Sequence, residues 1–489
     1  MKNRGTSSHR MHRARVVATI GPSSDSTTTL TAMMAAGMDV ARLNYSHGDL
    51  DGKAATIERL RSVEEASGRA LGILADLPGP KLRLGRFEGS LDLTREQRVT
   101  LRCGLPSTPF ADAANLPIPY AELSKELREG DPVLLADGLV RLEVLGIEGE
   151  AIHTVVVDGG RISERKGINV PRTLVGLPAV GPEDERCLRH ALEHGVDFVA
   201  VSYVRSAADL EPARRIIAEA GLHTWVVAKI EHPAALNDLD AIVHAADVVM
   251  VARGDLGVEI PLEEVPAAQE RIIARCLEHG RPVIVATQML ESMVDHPRPT
   301  RAEVSDVATA IRQFTSAVML SGETASGQHP VNAVETMVRI AERAAVAVDH
   351  LPSPPALAKY RSTRAITGAA AALAADVNAD AIVVATQHGN AARLMAAHRP
   401  PMPIVALTDR PRAVRRTTLL PGVRGCLVTE HDRSRDTVAE AVETLFRGDH
   451  LRGGDTVVTV TGSPFAIRGR TSTIRLIEVG DAGQLRMLE

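Results

Sequence analysis

Two short aliphatic runs end in opposite charges: WVVAKIE closes on Lys229 and Glu231, and DVVMVARGDLG closes on Arg253 and Asp255. Burying ions is costly unless they are well paired, so charges at the ends of core strands point to chemistry. Alternate residues of an extended strand share a face, which puts the Lys229 ammonium beside the Glu231 carboxylate. Glu231 and Asp255 are hard oxygen ligands suited to a divalent cation, and the lysine suits an anionic substrate. A buried structural ion pair is the competing reading of the same four residues.

The elements that must position these groups follow from the aliphatic runs. Candidate strands fall at 15–20, 40–44, 72–76, 196–202, 224–230, 247–252, 282–287 and 317–321, separated by segments of helical periodicity. Each ends in polar residues: Thr19, Arg42 with Asn44, Asp76, Ser202, Lys229 with Glu231, Arg253 with Asp255, Thr287, and Ser321 with Glu323. Eight βα units with reactive groups at their carboxyl ends predict a TIM (β/α)8 barrel. A doubly wound open sheet is the rival, but it would gather its polar groups at one switch point.

The gap between the third and fourth strands is far too long for a βα connection. Residues 84–178 instead read as short strands and turns (LADGLVRLEVLG, AIHTVVVDGGRI), an inserted β-rich domain placed to act as a lid. LPSPPALAKY then interrupts the pattern, and DAIVVAT, MPIVALT and DTVVTVTG predict a C-terminal α/β open-sheet domain. The expected organisation is barrel 1–83 with a disordered tail over 1–14, lid 84–178, barrel 179–350, and an assembly or regulatory domain over 351–489.

Composition narrows the function. A net charge of -5 over 489 residues and 2% aromatic content supply neither the basic excess nor the stacking surfaces of nucleic-acid binders. The basic start is followed by no apolar signal-peptide core, and no run is long enough for a membrane helix. Cys103, Cys187, Cys276 and Cys426 are scattered with no CxxC spacing, as expected of a soluble cytoplasmic protein.

Further runs lie at the strand ends: ATIGPSS at 18–24, ARLNYSHG at 41–48, ADLPGPKLRLG at 75–85 and ATQMLESM at 286–293. Together with AKIE, ARGDLG, PTRAEVSDVA and MLSGETASG, they resemble the pyruvate kinase family, in order, over nearly all of 15–345. The resemblance implies phosphoryl transfer from phosphoenolpyruvate to ADP, giving pyruvate and ATP. Lys229 then matches the catalytic lysine, which bridges the transferring phosphoryl and the enolate oxygen. Glu231 and Asp255 hold magnesium or manganese. Arg42 meets the phosphoryl group, while the amides of Gly254 and Asp255 and the Thr287 hydroxyl meet the carboxylate. The pattern assigns the nucleotide to Asn44, His47, Arg83 and, from the lid run RKGINVP, Lys166. Thr287, Ser321 and Glu323 are expected to relay a proton to the enolate carbon. A homotetramer is also implied.

The chain departs from the family pattern in two places. Members that use potassium read DTKGPEIR at the third strand and hold the ion near residues matching Asn44, Ser46 and Asp76; here the run is DLPGPKLR. Leu77 removes a ligand and Lys81 adds a fixed charge, so the Lys81 ammonium is expected to do the potassium ion's work, without potassium being required. In the C-terminal domain TQHGNA keeps Thr386 and Gly389, but His388 and Ala391 replace hydroxyls of the effector pattern, which argues against fructose 1,6-bisphosphate. Arg468 and Arg470 remain as charges for another phosphate ligand. The rival functions are a metal-dependent oxoacid lyase or aldolase, a Schiff-base enzyme using Lys229, and a non-catalytic phosphometabolite sensor.

Overall fold

The computed structural model describes residues 14–80, 82–110, 112–136, 138–171, 176–345, 361–429, 434–462 and 472–487. Lys81, Arg468 and Arg470 lie outside the described residues, as do 1–13 of the expected tail.

The aliphatic runs form a closed barrel of parallel strands: β1 (Arg15–Thr19), β2 (Val40–Asn44), β3 (Gly72–Asp76), β4 (Phe198–Val201), β5 (Trp225–Ile230), β6 (Val248–Ala252), β7 (Val283–Ala286) and β8 (Ala317–Leu320). Closure comes from β1, which pairs with β2 on one side and with β8 on the other, in the register Arg15↔Ala317. The expected strands agree with these to within two residues at each end.

The period of two divides every strand between two cores. Val16, Ala41, Ile73, Val199, Ala228, Val249, Val285 and Val318 face outward and pack against the surrounding helices. Val17, Val40, Leu74, Phe198, Trp225, Val227, Met250, Ile284 and Met319 fill the interior, which continues into the C-terminal α/β unit through Ala391, Leu419 and Leu420. The helices have local reasons to begin where they do. Ser26 accepts from the Thr29 amide ahead of Thr27–Ala36, and Thr300 with Glu303 forms a capping box ahead of Arg301–Arg312.

Between β3 and β4 lies a six-stranded sheet in the order Ile168–Asn169, Pro132–Leu135, Val140–Glu148, Ala151–Asp158, Arg98–Cys103 and Leu116–Ile118, with its own core around Leu101, Val133, Leu142 and Ile152. The departing and returning chains are stitched together, Leu84 N to Lys166 O at 2.9 Å and Ile168 N to Leu82 O at 2.9 Å. One carboxylate clamps both crossings: Asp184 accepts from Gly79 N at 2.7 Å and from Gly181 N at 3.0 Å. Gly79 sits at φ 70°, and a Cβ there would lie 2.5 Å from that of Ser202, so only glycine fits this crossing.

The C-terminal sheet runs Val423–Leu427, Ile404–Thr408, Ala381–Ala385, Thr456–Thr461, Thr473–Val479 and Leu485–Met487, the first four parallel and the last two added antiparallel. Among the described residues, no helix is long and apolar enough to cross a membrane. All four cysteines are unpaired.

Candidate active site

The inward rows of the barrel end in polar side chains, and those ends make the site. On β5 the row Trp225, Val227, Lys229 continues to Glu231; β1 contributes Thr19, β2 Arg42, β3 Asp76, and Ser202 follows β4. Lys229 Nζ lies 2.8 Å from Glu231 Oε1, 3.2 Å from Asp76 Oδ1 and 2.9 Å from the Ser202 hydroxyl, which donates in turn to Leu77 O at 2.8 Å. Arg42 turns Nε to Asp76 Oδ2 at 2.7 Å and donates to the Thr19 hydroxyl at 2.9 Å. Asp76 thus balances two cations contributed by β2 and β5.

The electrostatics follow from this packing. Burial opposes the Lys229 charge, but Asp76, Glu231 and Asp255 outweigh it and hold the ammonium above its ordinary value. Burial raises Asp76, yet Lys229 and Arg42 win and keep it below the carboxylate range. Glu231 is pushed up to about 7 by burial, against the pull of Lys229 and with the help of the Asp255 charge. Burial, then Asp255, Glu231 and Glu259, push the Tyr203 hydroxyl upward as well. A cation between the two carboxylates would relieve Glu231 of the Asp255 charge. Among the described residues no three His, Cys, Asp or Glu side chains converge at metal-ligand spacing. A pair of carboxylates with the remaining positions left to water and substrate oxygens fits a hard divalent ion.

Strained backbone holds the rim. Tyr203, Thr287 and Gln288 have φ of 53°, 67° and 53°, a region non-glycine residues avoid. Each is tied down: Tyr203 N donates to Glu231 Oε2 at 2.8 Å, and Arg253 donates to Thr287 O at 2.8 Å and Gln288 O at 3.1 Å. Arg253 also grips Asp306 at 2.7 Å. It therefore faces the turn after β7, away from the Lys229 cluster with which its sequence position grouped it. The turn directs the Thr287 hydroxyl to Gly254 N, 2.7 Å away at the start of helix Arg253–Glu259. Glu323 is fully buried and accepts from Leu290 N at 3.0 Å and Ser321 N at 2.6 Å, while the buried Ser321 hydroxyl has no hydrogen-bond partner among the described residues.

A cavity of about 450 Å³ opens between this mouth and the inserted sheet, lined by His47, Arg83, Lys166, Tyr203, Asp255 and Glu259 among others. Three of the four expected nucleotide residues therefore share one cleft with Asp255. Asn44 is at the end of β2, its side-chain oxygen accepting from Ser46 N at 3.0 Å. Sequence reasoning missed Asn169, whose amide donates to the Tyr203 hydroxyl at 3.0 Å and to Glu259 Oε1 at 2.9 Å. Its place beside Lys166 in RKGINVP, and Glu259 one helical turn after Asp255, were the available signals.

Comparison with known proteins decides the family. Residues 11–334 match the model of the pyruvate kinase barrel domain, and 364–477 match that of the pyruvate kinase alpha/beta domain. The chain belongs to the pyruvate kinase family. It is 41% identical to a pyruvate kinase of Agrobacterium vitis, covering 96% of this chain and 98% of the relative. It is 40% identical to that of Mycobacterium tuberculosis, covering 96% and 99%. A crystal structure of a pyruvate kinase from Cryptosporidium parvum superimposes with a TM-score of 0.89 at 33% identity, over 96% of this chain and 97% of the other. The enzyme is a glycolytic phosphotransferase that converts phosphoenolpyruvate and ADP to pyruvate and ATP.

Proposed function

We propose that Lys229 is the group that stabilises the phosphoryl in transit. The observation that carries this reading is its ammonium, buried at the top of the β5 row within 3.2 Å of both Asp76 and Glu231. A cation held this way needs no reorganisation when negative charge develops on the phosphoryl oxygens and the enolate. Arg42, already oriented by Asp76 and Thr19, adds a fork of donors to the phosphoryl group. The amides of Gly254 and Asp255 and the Thr287 hydroxyl receive the substrate carboxylate, Gly254 N exchanging its bond to Thr287 for one to substrate.

Glu231 and Asp255 hold Mg2+ or Mn2+, which when bound supplies Lewis-acid neutralisation of the substrate's carboxylate and phosphate. His47, Arg83, Lys166 and Asn44 take the nucleotide, with Lys166 brought by the lid, 84–178. After transfer a proton must reach the enolate carbon. The Thr287 and Ser321 hydroxyls carry it, and Glu323, both of whose oxygens accept backbone amides, fixes the turns that hold them. A Schiff base at Lys229 needs a depressed lysine, whereas its carboxylate neighbours raise it.

Lys81 takes the place of potassium. Two facts support this: Leu77 is 2% exposed within the outer barrel core, offering no ligand, and Asp76 already balances Arg42 and Lys229. The enzyme acts in the cytoplasm as a homotetramer built through the barrel and the segment 351–489. A lactate-dehydrogenase-coupled assay with phosphoenolpyruvate and ADP, varying Mg2+ and exchanging K+ for Na+, tests the cation assignments. Loss of activity without divalent ion and equal rates in the two monovalent salts are expected; a large potassium stimulation refutes the Lys81 role. Light scattering of the purified enzyme checks the tetramer.

A further inference from the structure

The strand Ile168–Asn169, which brings the inserted sheet back toward the barrel, ends on a side chain that holds two barrel elements at once. The Asn169 amide nitrogen donates to the Tyr203 hydroxyl at 3.0 Å and to Glu259 Oε1 at 2.9 Å. A side-chain amide has two hydrogens to give, so both are spent on the barrel. Each acceptor leads in one step to a carboxylate of the proposed metal pair. Tyr203 N donates to Glu231 Oε2 at 2.8 Å, and Glu259 follows Asp255 by one turn on helix Arg253–Glu259.

Both acceptors lean on this amide. Tyr203 is held at φ 53°, a conformation that persists only where its surroundings impose it, and it is in this conformation that its backbone amide meets Glu231. Glu259 is 6% exposed, and its Oε2 has no hydrogen-bond partner among the described residues, with His232 Nε2 standing 4.0 Å away. A buried carboxylate with one oxygen unpaired relies on the donor that its other oxygen has. The inserted sheet approaches the same helix at a second point, since a Cβ at Gly138 would lie 3.8 Å from Val258 Cγ1. On the nucleotide side, Lys166 stands three residues before Asn169. Its carbonyl accepts from Leu84 N, and the Ile168 amide donates to Leu82 O, both at 2.9 Å.

We infer that Asn169 is a positioning residue that sets the placement of Glu231 and Asp255 from the inserted sheet, so that the divalent-ion site and Lys166 are built to one register. This rests on the assignment of those two carboxylates to the metal ion. Without the amide, Tyr203 relaxes toward the common backbone regions, its N–H leaves Glu231, and helix Arg253–Glu259 loses its tie to the returning strand. The ion then meets carboxylates that must be reordered as it binds, and Lys166 is no longer aligned with it.

The test is Mn2+ binding to the full-length enzyme without phosphoenolpyruvate or ADP, read from the electron paramagnetic resonance signal of the free ion, together with the KM for ADP. Asn169→Ala should weaken Mn2+ binding about tenfold and raise the KM for ADP severalfold. Tyr203→Phe, which keeps ring and backbone, should weaken Mn2+ by a smaller factor. The double variant should bind no more weakly than Asn169→Ala, since the bond lost in Tyr203→Phe is already lost there. Wild-type Mn2+ affinity in Asn169→Ala overturns the inference, as does full additivity in the double variant; if Asn169→Ala does not fold, wild-type affinity in Tyr203→Phe overturns it instead. An unchanged KM for ADP overturns the link to Lys166. Glu231→Gln separates this inference from the assignment beneath it and should abolish Mn2+ binding. Retained binding there removes the metal assignment and this inference with it, whereas lost binding there with wild-type affinity in Asn169→Ala removes this inference alone.

Discussion

The two ends of the barrel both bury carboxylates, and they use them differently. At the floor Asp39, Asp197 and Asp247 each stand one residue before an even-numbered strand and accept the amide of the strand before it: Val16, Ile73 and Val226, all at 3.0 Å. Each also meets an arginine, from Arg15 and Arg69 to Arg61 and Arg214. One device repeated three times fixes strand register. At the mouth Asp76 and Glu231 face the inward ends of the rows and balance Lys229 and Arg42. The floor acids are committed to backbone, whereas the mouth cations are held by partners that an anionic substrate can displace. Stability belongs to the amino end of such a barrel and chemistry to the carboxyl end.

The largest expected effect breaks the mouth. Lys229→Met lowers kcat by roughly a thousandfold or more, because a preorganised cation is lost where charge develops; circular dichroism should show the fold retained. The matching change at the floor, Asp197→Ala, costs about 3 kcal/mol of stability by stripping a buried ion pair, seen as a lower urea midpoint, with kcat per folded molecule unchanged. A loss of kcat as great as that of Lys229→Met would erase the distinction. Arg253→Met tests the strained turn between these extremes: released at 287–288, Thr287 loses its aim, and kcat falls about tenfold with little change in ADP KM.

The smallest effect concerns His388, whose ring centroid lies 4.4 Å from that of His223. The His388 imidazole titrates at about 4 in the fold against an ordinary 6.5. The unfolded chain therefore binds a proton that the fold refuses, and stability falls as pH drops from about 6.5 toward 4. His388→Asn should flatten that part of the stability curve, measured by denaturation at pH 7.5 and 5, and should leave the profile above pH 7 unaltered.

Much of this was legible in the chain. The eight runs were visible because a buried parallel strand is continuous in aliphatic residues, and the polar residue that ends each run marks the mouth. Lys229 beside Glu231 follows from the period of two alone. Arg253 was misgrouped with them because its direction depends on Asp306 and the turn after β7, 53 and 34 residues away in sequence. Asn169 and Tyr203 were missed for a similar reason: an amide in the inserted sheet and a strained residue after β4 have no meaning until the return of the chain brings them within 3.0 Å.

The sequence by itself determined which residues could be strand, which face each strand end presents, and the reaction the strand-end motifs resemble. These depend on spacing along a few residues, which local geometry converts directly into direction. Only the tertiary structure decided which charges balance which and how the Thr287 turn is held. Those outcomes depend on groups from distant strands and from the C-terminal unit meeting in a space that water has left, where Coulombic partners and burial, and not residue type, set the energy.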